Sequence, residues 1–242
     1  MIITYLIMVA HSIKKILSID IGGSNIKATL LNPDGEMIAA YERLPTPQPA
    51  TVTAVLALIK TLAAKLPGYD VVSAGFPGYV KRGVIGTAPN LGTDYWKGVD
   101  MSKELSGLLG KPARVVNDAD MQGLGIAQGK GFEIIVTLGT GFGTALLEDG
   151  RLLPHLEMAH HPVTKHRTYD QYIGEKEMNR IGKDRWNKRV KRVFEILKTV
   201  FNYDVLYVGG GNAADINFKL DADMVQVNNK DGIKGGARLW KQ

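Results

Sequence analysis

Two separated stretches of this chain follow one plan, and any fold assigned to it must explain both. The first runs from Ile16 to Ile21, through Gly22-Gly23-Ser24, along Ile26 to Leu31, and into Asn32-Pro33-Asp34-Gly35. The second runs from Ile134 to Leu138, through Gly139-Thr140-Gly141-Phe142-Gly143, along Thr144 to Leu147, and into Asp149-Gly150. Each reads as strand, glycine turn, strand, Asp-Gly turn. The likeness involves turn chemistry as well as hydrophobicity, so it points to duplicated lobes facing each other. Adjacent glycines let backbone N–H groups approach an anion without Cβ interference. A carboxylate just before them, Asp20, can hold a Mg²⁺ through water, as hard cations prefer. Taken alone, the first stretch reads equally well as a tight hairpin turn with no ligand. Two such turns from two lobes could clamp one polyanion.

The chain has 242 residues, enough for one large domain or two small ones, each with its own core. It contains no Cys, which excludes disulfides and thiolate metal sites. Its net charge of +6 suits an anionic partner: nucleotide, polyphosphate, nucleic acid or membrane surface. Charge alone does not choose among them. Met1 to Ala10 is apolar but too short to span a bilayer, and Lys14 and Lys15 follow it where a signal peptide would have its basic leader first. Met1 and Met8 are alternative starts, and a cytoplasmic location is expected.

Between the two stretches the pattern alternates. Glu36 to Tyr41 is expected to continue a β-meander, with Pro45, Pro47 and Pro49 as a rigid connector. Val52, Val55, Leu56, Ile59, Leu62 and Ala63 recur at helical spacing within Thr51 to Leu66, ended by Pro67-Gly68. Val71 to Phe76 is almost entirely apolar, as befits a strand buried on both faces. Val84-Ile85 reads as a short strand, Met101 to Leu109 as a helix, and Ala113 to Val116 as a strand ending at Asn117-Asp118. Asp118 to Gln128 is again helical.

Tyr169 to Lys198 reads as one strongly basic helix carrying Lys176, Arg180, Lys183, Arg185, Lys188, Arg189, Lys191 and Arg192. Asp204 to Val208 is a strand closed by Gly209-Gly210-Gly211-Asn212, Val225 to Val227 is a last short strand, and Gly232 to Trp240 is a closing helix. No Pro/Gly/Ser linker of useful length separates the halves. The boundary is therefore expected as a hinge near residue 115, giving lobes 1–115 and 116–231, with 232–242 able to pack back on the first.

Five motifs occur in order: Asp20-x-Gly-Gly-Ser-x-x-Lys27, Asn117-Asp118-Ala119-Asp120, Leu138-Gly-Thr-Gly-x-Gly143, Glu157-x-x-His160 and Gly209-Gly-Gly-Asn212. Each is weak alone; together and in this order they are specific. The pattern resembles the ROK sugar kinases of the actin/hexokinase/Hsp70 superfamily, and within them the polyphosphate-glucokinase-like branch. The resemblance runs from about Lys15 to Trp240. ROK proteins commonly carry a Cys-rich zinc motif after Glu-x-Gly-His; the polyphosphate-glucokinase-like members lack it, and so does this chain, so no zinc is expected. The resemblance implies two ribonuclease-H-like lobes with the active site in the cleft between them, and transfer of a phosphoryl group from ATP or inorganic polyphosphate to a hexose, glucose foremost. It also makes a homodimer plausible.

It further implies roles for individual residues. Asp118 is the general base for the sugar hydroxyl; from Asn117-Asp118 alone, a plain helix N-cap is the competing reading. Asn90, Asn117, Glu157 and His160 would bind the sugar, which needs paired donors and acceptors at fixed positions. Ala159 stands where the family has Gly, which matters if that position needs a positive φ. Asp20 would orient hydrated Mg²⁺. Gly22, Gly23, Ser24 and Lys27 form the first phosphate loop, although Lys27 reads equally as a solvated strand lysine. Gly139, Thr140, Gly141 and Gly143 form the second. Gly210 and Gly211 belong to the adenosine motif, although a strand-to-helix turn needs glycine anyway.

His155, His160, His161 and His166 make a local cluster without the His-Glu-x-x-His spacing of a metal site. Lys165, Arg167 and the 176–192 cluster could supply a track for long polyphosphate, or simply a solvated helix face. A nucleic-acid partner is not expected: no helix-turn-helix segment precedes the kinase-like region, and no aromatic-studded basic strand is present.

Overall fold

The structure is a computed structural model that describes residues 13–227 and 229–242. The apolar start at 1–10, with its two candidate initiators, lies outside the described residues. The chain divides into two compact units, Met1–Gly125 with Gly232–Gln242, and Ile126–Asp231.

The first unit is built on a five-stranded mixed sheet of β1 (Ile16–Ile21), β2 (Asn25–Leu31), β3 (Glu42–Pro45), β4 (Val71–Phe76) and β7 (Ala113–Asn117), in the order β3-β2-β1-β4-β7. Helix α1 (Val52–Ala64) follows β3, and a small hairpin, β5 (Val80–Lys81) with β6 (Val84–Ile85), follows β4. Then come α2 (Thr93–Trp96), α3 (Met101–Leu109) and, after β7, α4 (Asp118–Ile126). β1 is antiparallel to β2 and parallel to β4, which is parallel to β7. All six residues of β4 are buried, as its unbroken apolar run requires of a strand covered on both faces.

Leu17, Ile19 and Ile21 share a core with Val55, Ile59, Leu62 and Leu105 of α1 and α3. Thr51 caps α1, its Oγ1 accepting from Ala54 N. Trp96 is fully buried, stacked obliquely on Phe76 at 4.9 Å and donating Nε1–H to Ala50 O at 2.9 Å. Truncating such a side chain to Ala costs about 3–5 kcal/mol.

The other face of the sheet carries the C-terminal segment. Ser18 Oγ donates to Ile233 O at 2.7 Å and Ser73 Oγ to Gly236 O at 2.6 Å. A Cβ at Gly236 would collide with Ser18, so the glycine there is what allows the close approach.

The second unit repeats the plan with β8 (Phe132–Leu138), β9 (Phe142–Glu148), β10 (Arg151–Leu152), β13 (Val205–Gly209) and β14 (Met224–Gln226), in the order β10-β9-β8-β13-β14. Between β10 and β13 lie a 3-10 turn at Met158–His160, a small hairpin of β11 (Pro162–Thr164) and β12 (Arg167–Thr168), and helices α5 (Tyr169–Ile173), α6 (Glu175–Ile181) and α7 (Lys183–Phe201). Ile134, Val136 and Leu138 pack with Trp186, Val190, Val193, Phe194 and Leu197 of α7. Helix α8 (Gly235–Arg238) returns to the first unit.

Three expectations differ from what forms. The edge strand of the first sheet is Glu42–Pro45, not 36–41: after a single bridge between Leu31 and Met37, Met37, Ile38 and Tyr41 lie exposed, and Pro45 closes the edge strand where a missing N–H is tolerated. The basic segment is three helices, broken by Gly174 in extended backbone and by Gly182 at φ +83°. The first unit extends through α4 to Gly125, where the sequence reading places a hinge near residue 115. Among the described residues no helix is long and apolar enough to cross a membrane.

Candidate active site

In the first unit, the β1–β2 turn is pinned from below. Gly22 N–H donates to Asn25 O at 3.0 Å, while Thr46 donates Oγ1–H to Gly22 O at 2.6 Å and its N–H to Ser24 O at 3.0 Å. Gly22 N–H is therefore spent on closing the turn, and Ser24 stands exposed at its tip. A Cβ on Gly23 would lie 3.2 Å from the Asn90 Cβ, so this glycine brings the Asn90 loop against the turn. Asp20 and Lys27 face each other in the ladder, with Nζ 3.2 Å from Oδ2. Lys27 thus turns toward the carboxylate, not away from it. The nearby Tyr41 phenol is pushed up to about 12, by burial first and by the Asp20 charge second.

The end of β7 carries the second group. Asn117 is buried; its Nδ2 donates to Gly78 O at 3.0 Å, and its Oδ1 accepts from Ala119 N at 2.8 Å and Asp120 N at 3.3 Å. Capping of α4 thus falls to Asn117, and both ends of its amide are engaged within the protein. Its place is at the strand–helix junction, next to Asp118. Asp118 is exposed, accepting Ala119 N at 2.8 Å through Oδ1. Gly75 of β4, lacking a Cβ, sits against the Asp118 backbone. Asp20 pairs with Gly75, and Gly75 with Val116, so Val116 lies two strands or about 10 Å from Asp20, and Asp118, two residues past it, starts α4 at the carboxyl-terminal edge of the same sheet. Ligands of α/β sheets gather at that edge.

In the second unit, Gly139 N–H donates to Gly141 O at 3.1 Å, and Phe142 N–H to Asp170 Oδ1 at 2.6 Å. Gly139 O accepts from Glu175 N at 2.9 Å and Asn212 Nδ2 at 3.4 Å. The second glycine turn and the Gly209–Asn212 turn are thereby brought together. Gly210 has φ +93°, and a Cβ there would collide with the Leu138 backbone, so its glycine is required by the fold itself. Gly211 and Gly139 face open space. Thr140 tops the turn, whereas Gly143 lies in β9 opposite Thr137, outside the turn.

Glu157 precedes the 3-10 turn and His160 ends it. His155 Nε2 lies 3.3 Å from Glu157 Oε1; His160 is exposed. Ala159 occupies the turn without a positive φ, so the exchange for glycine is accommodated. His161 packs its ring 6.1 Å from Tyr169. Among the described residues no group of three His, Asp or Glu side chains is placed to hold a metal ion.

Asp170 was not foreseen. It closes the second glycine turn, and its carboxyl is held above the usual range by burial first, with the Glu157 charge adding to the rise and the Phe142 N–H and His160 opposing it. Its signal is local: Thr168 and Gln171 form a capping box that puts Asp170 in the first turn of α5. Thr46, between two prolines, gave no comparable signal.

The family model described as ROK family matches residues 16–165. Polyphosphate glucokinase of Mycobacterium tuberculosis (strain CDC 1551 / Oshkosh) is 33% identical over 205 residues, covering 80% of this chain and 76% of that protein. Among solved structures, the inorganic polyphosphate/ATP-glucomannokinase from Arthrobacter sp. strain KM matches with TM-score 0.83 and 30% identity, covering 94% of this chain and 98% of that one. A ROK family glucokinase from Streptomyces griseus, in complex with glucose and AMPPNP, matches with TM-score 0.77 at 19% identity over 93% of this chain and 98% of that one, a likeness of fold. The mixed sheets are those of the actin-like ATPase fold, with its ribonuclease-H-like lobes. With more than half its length in the family match, the chain belongs to the ROK family.

Proposed function

We propose that this protein is a sugar kinase that moves a phosphoryl group from inorganic polyphosphate, ATP or both to a hexose hydroxyl, glucose 6-OH foremost. The observation that carries the reading is the division of labour at the end of β7. Asn117 takes the capping duty and Asp118 is left exposed, on the same sheet edge as Asp20. The names of the relatives at 30% identity and above supply the substrate class.

In this reading Asp118 accepts the proton of the sugar hydroxyl as it attacks the terminal phosphorus of the donor. Asn90, Glu157 and His160 hold the sugar, with Asn117 acting behind Asp118. Ser24 and Thr140 at the turn tips, with Gly139 and Gly211 facing open space, would leave room for phosphate oxygens and the rest of the donor, while Gly23 and Gly141 let Asn90 and Asp170 approach their turns. A single half-exposed carboxylate fits a cation that keeps most of its waters, so Asp20 would hold Mg²⁺ brought in on the donor phosphates. When bound, that ion neutralises charge on the transferring group. Lys27, now paired to Asp20, would be released toward the same phosphates.

An ATP-only hexose kinase is the second reading, favoured by the junction of the Gly209–Asn212 turn with the second glycine turn. Assays with glucose, Mg²⁺ and either ATP or long-chain polyphosphate decide between the two. No turnover with either donor overturns both in favour of a non-catalytic sugar binder. A cytoplasmic homodimer without nucleic-acid or membrane partners accompanies the proposal, and sedimentation of the purified protein tests its oligomeric part.

A further inference from the structure

We propose that Arg167, Arg180 and Arg189, gathered on Glu177, form a subsite for linear polyphosphate that continues the second glycine turn. The inference rests on polyphosphate being a ligand of this protein. Arg180 grips Glu177 with two hydrogen bonds, Nε to Oε2 and Nη2 to Oε1, both 2.6 Å. Arg189 Nη1 reaches the same Oε1 at 2.6 Å, and Arg167 Nη1 also donates to it. One carboxylate thus holds three guanidinium groups. One arginine would satisfy it; three leave local positive charge in excess, which repels itself unless an anion joins.

The trio is placed to meet a phosphate chain. Glu175 N–H donates to Gly139 O at 2.9 Å, so α6 starts against the second glycine turn. Arg180 lies five residues further on, about 8 Å along the helix. Glu177 is only 9% exposed, while Arg180 is 58% and Arg167 38% exposed. A guanidinium has five N–H donors. Arg180 spends two on Glu177 and Arg167 one, so both retain donors for phosphate oxygens, whose geometry suits the guanidinium fork. Arg189 is fixed differently, stacked 4.6 Å over the Tyr172 ring and donating to Tyr172 O at 3.1 Å.

The surface continues along α7. Arg185, Lys188, Arg189 and Arg192 recur at i, i+3, i+4 and i+7, opposite the buried Trp186, Val190 and Val193. Like charges at that spacing destabilise a helix, and an extended polyanion lying along them removes the cost. Asp184, which accepts from Asn217, and Glu195 are the acids on the same helix.

The test is equilibrium binding of long-chain polyphosphate to the full-length protein at several salt concentrations, for wild type, Arg180→Gln, Arg167→Gln, the double variant and Arg180→Lys. Each Gln is expected to weaken binding about tenfold, the loss of one charge-assisted contact. It should also flatten the salt dependence by about 0.7 per contact, as for a single-stranded polyanion. Arg180→Lys should keep the salt slope. In turnover assays KM should rise for the long chain and stay unchanged for ATP and tripolyphosphate. Equal loss for all donors, an unchanged salt slope, or no polyphosphate binding by wild type overturns the subsite. So does tighter binding of a single-stranded oligonucleotide of equal charge. Should wild type bind polyphosphate through the trio yet turn over only ATP, the donor assignment falls and the subsite stands.

Discussion

The two sheets have one strand order and different glycine turns. In both units a hairpin leads into two parallel strands, so β8 corresponds to β1 and β13 to β4. Matching the pairs next to each turn sets Asp20 and Lys27 against Thr137 and Gly143. The first turn carries an ion pair and is pinned by a threonine; the second has no charge at the matching positions and is pinned by a buried-side carboxylate and an amide. The first turn thus carries charged groups at its base, whereas in the second unit the charged groups lie further out, on α6 and α7. The lesson is that a shared turn pattern predicts a shared backbone and says little about which copy bears the chemistry.

That contrast can be broken in several ways. The largest effect is expected for Asp118→Asn, which should lower kcat by about 10²–10⁴ while glucose still binds, as read by intrinsic fluorescence. Near-normal turnover would remove the chemistry from the first unit. Next, Asp20→Asn should cost about 10–100-fold in activity and raise the Mg²⁺ concentration needed, whereas Thr137→Ala at the matching position should leave the Mg²⁺ titration unmoved. A shared response would erase the distinction between the turns.

Gly210→Ala should strain the second turn by about 1–3 kcal/mol, lowering Tm by roughly 2–12 °C, and Gly211→Ala should leave Tm alone while weakening donor binding. A fourth test uses acid. Arg180, then Arg189 and Arg167, hold the Glu177 carboxyl down to about 2 from 4.5. Its contribution to stability is therefore complete above pH 4.5 and lost as pH falls from there toward 2. Glu177→Gln should flatten Tm over that interval; an unchanged profile would mean the trio is not organised by this carboxylate. The smallest change is expected for Ala159→Gly, since that backbone already has an ordinary φ: KM for glucose should hold.

Much of this was legible in the chain. Hydrophobic runs located β1, β4, β8 and both hairpins, and Met101–Leu109 was read to the residue, because unbroken burial and 3.6-residue spacing leave direct traces. The edge strand was misplaced because exposed Met37, Ile38 and Tyr41 imitate a strand better than Glu-Arg-Leu-Pro does. The basic segment looked like one helix because charge periodicity hides what Gly174 and Gly182 do to the backbone. For the site, residue types could nominate Asp118, but only geometry separates it from Asn117, whose hydrogen bonds cross from Gly78 to Asp120. Asp170 and Thr46 escaped because the turn each one pins lies far away in sequence; for Asp170 the capping box at Thr168 marks its helix start, not its partner.

The return of residues 233–240 to the first sheet has a consequence for biosynthesis. Ser18 and Ser73 have no exposed surface, and their hydroxyls are satisfied by Ile233 O and Gly236 O; Arg114 likewise reaches Leu239 O. A nascent chain stalled before residue 233 can complete the second unit, whose strands are all made by then, while the first waits with two buried hydroxyls unanswered. The N-terminal half is therefore synthesised first and finished last, an inversion of the usual vectorial order. Chaperone demand during translation should centre on the sheet that carries Asp20 and Asp118.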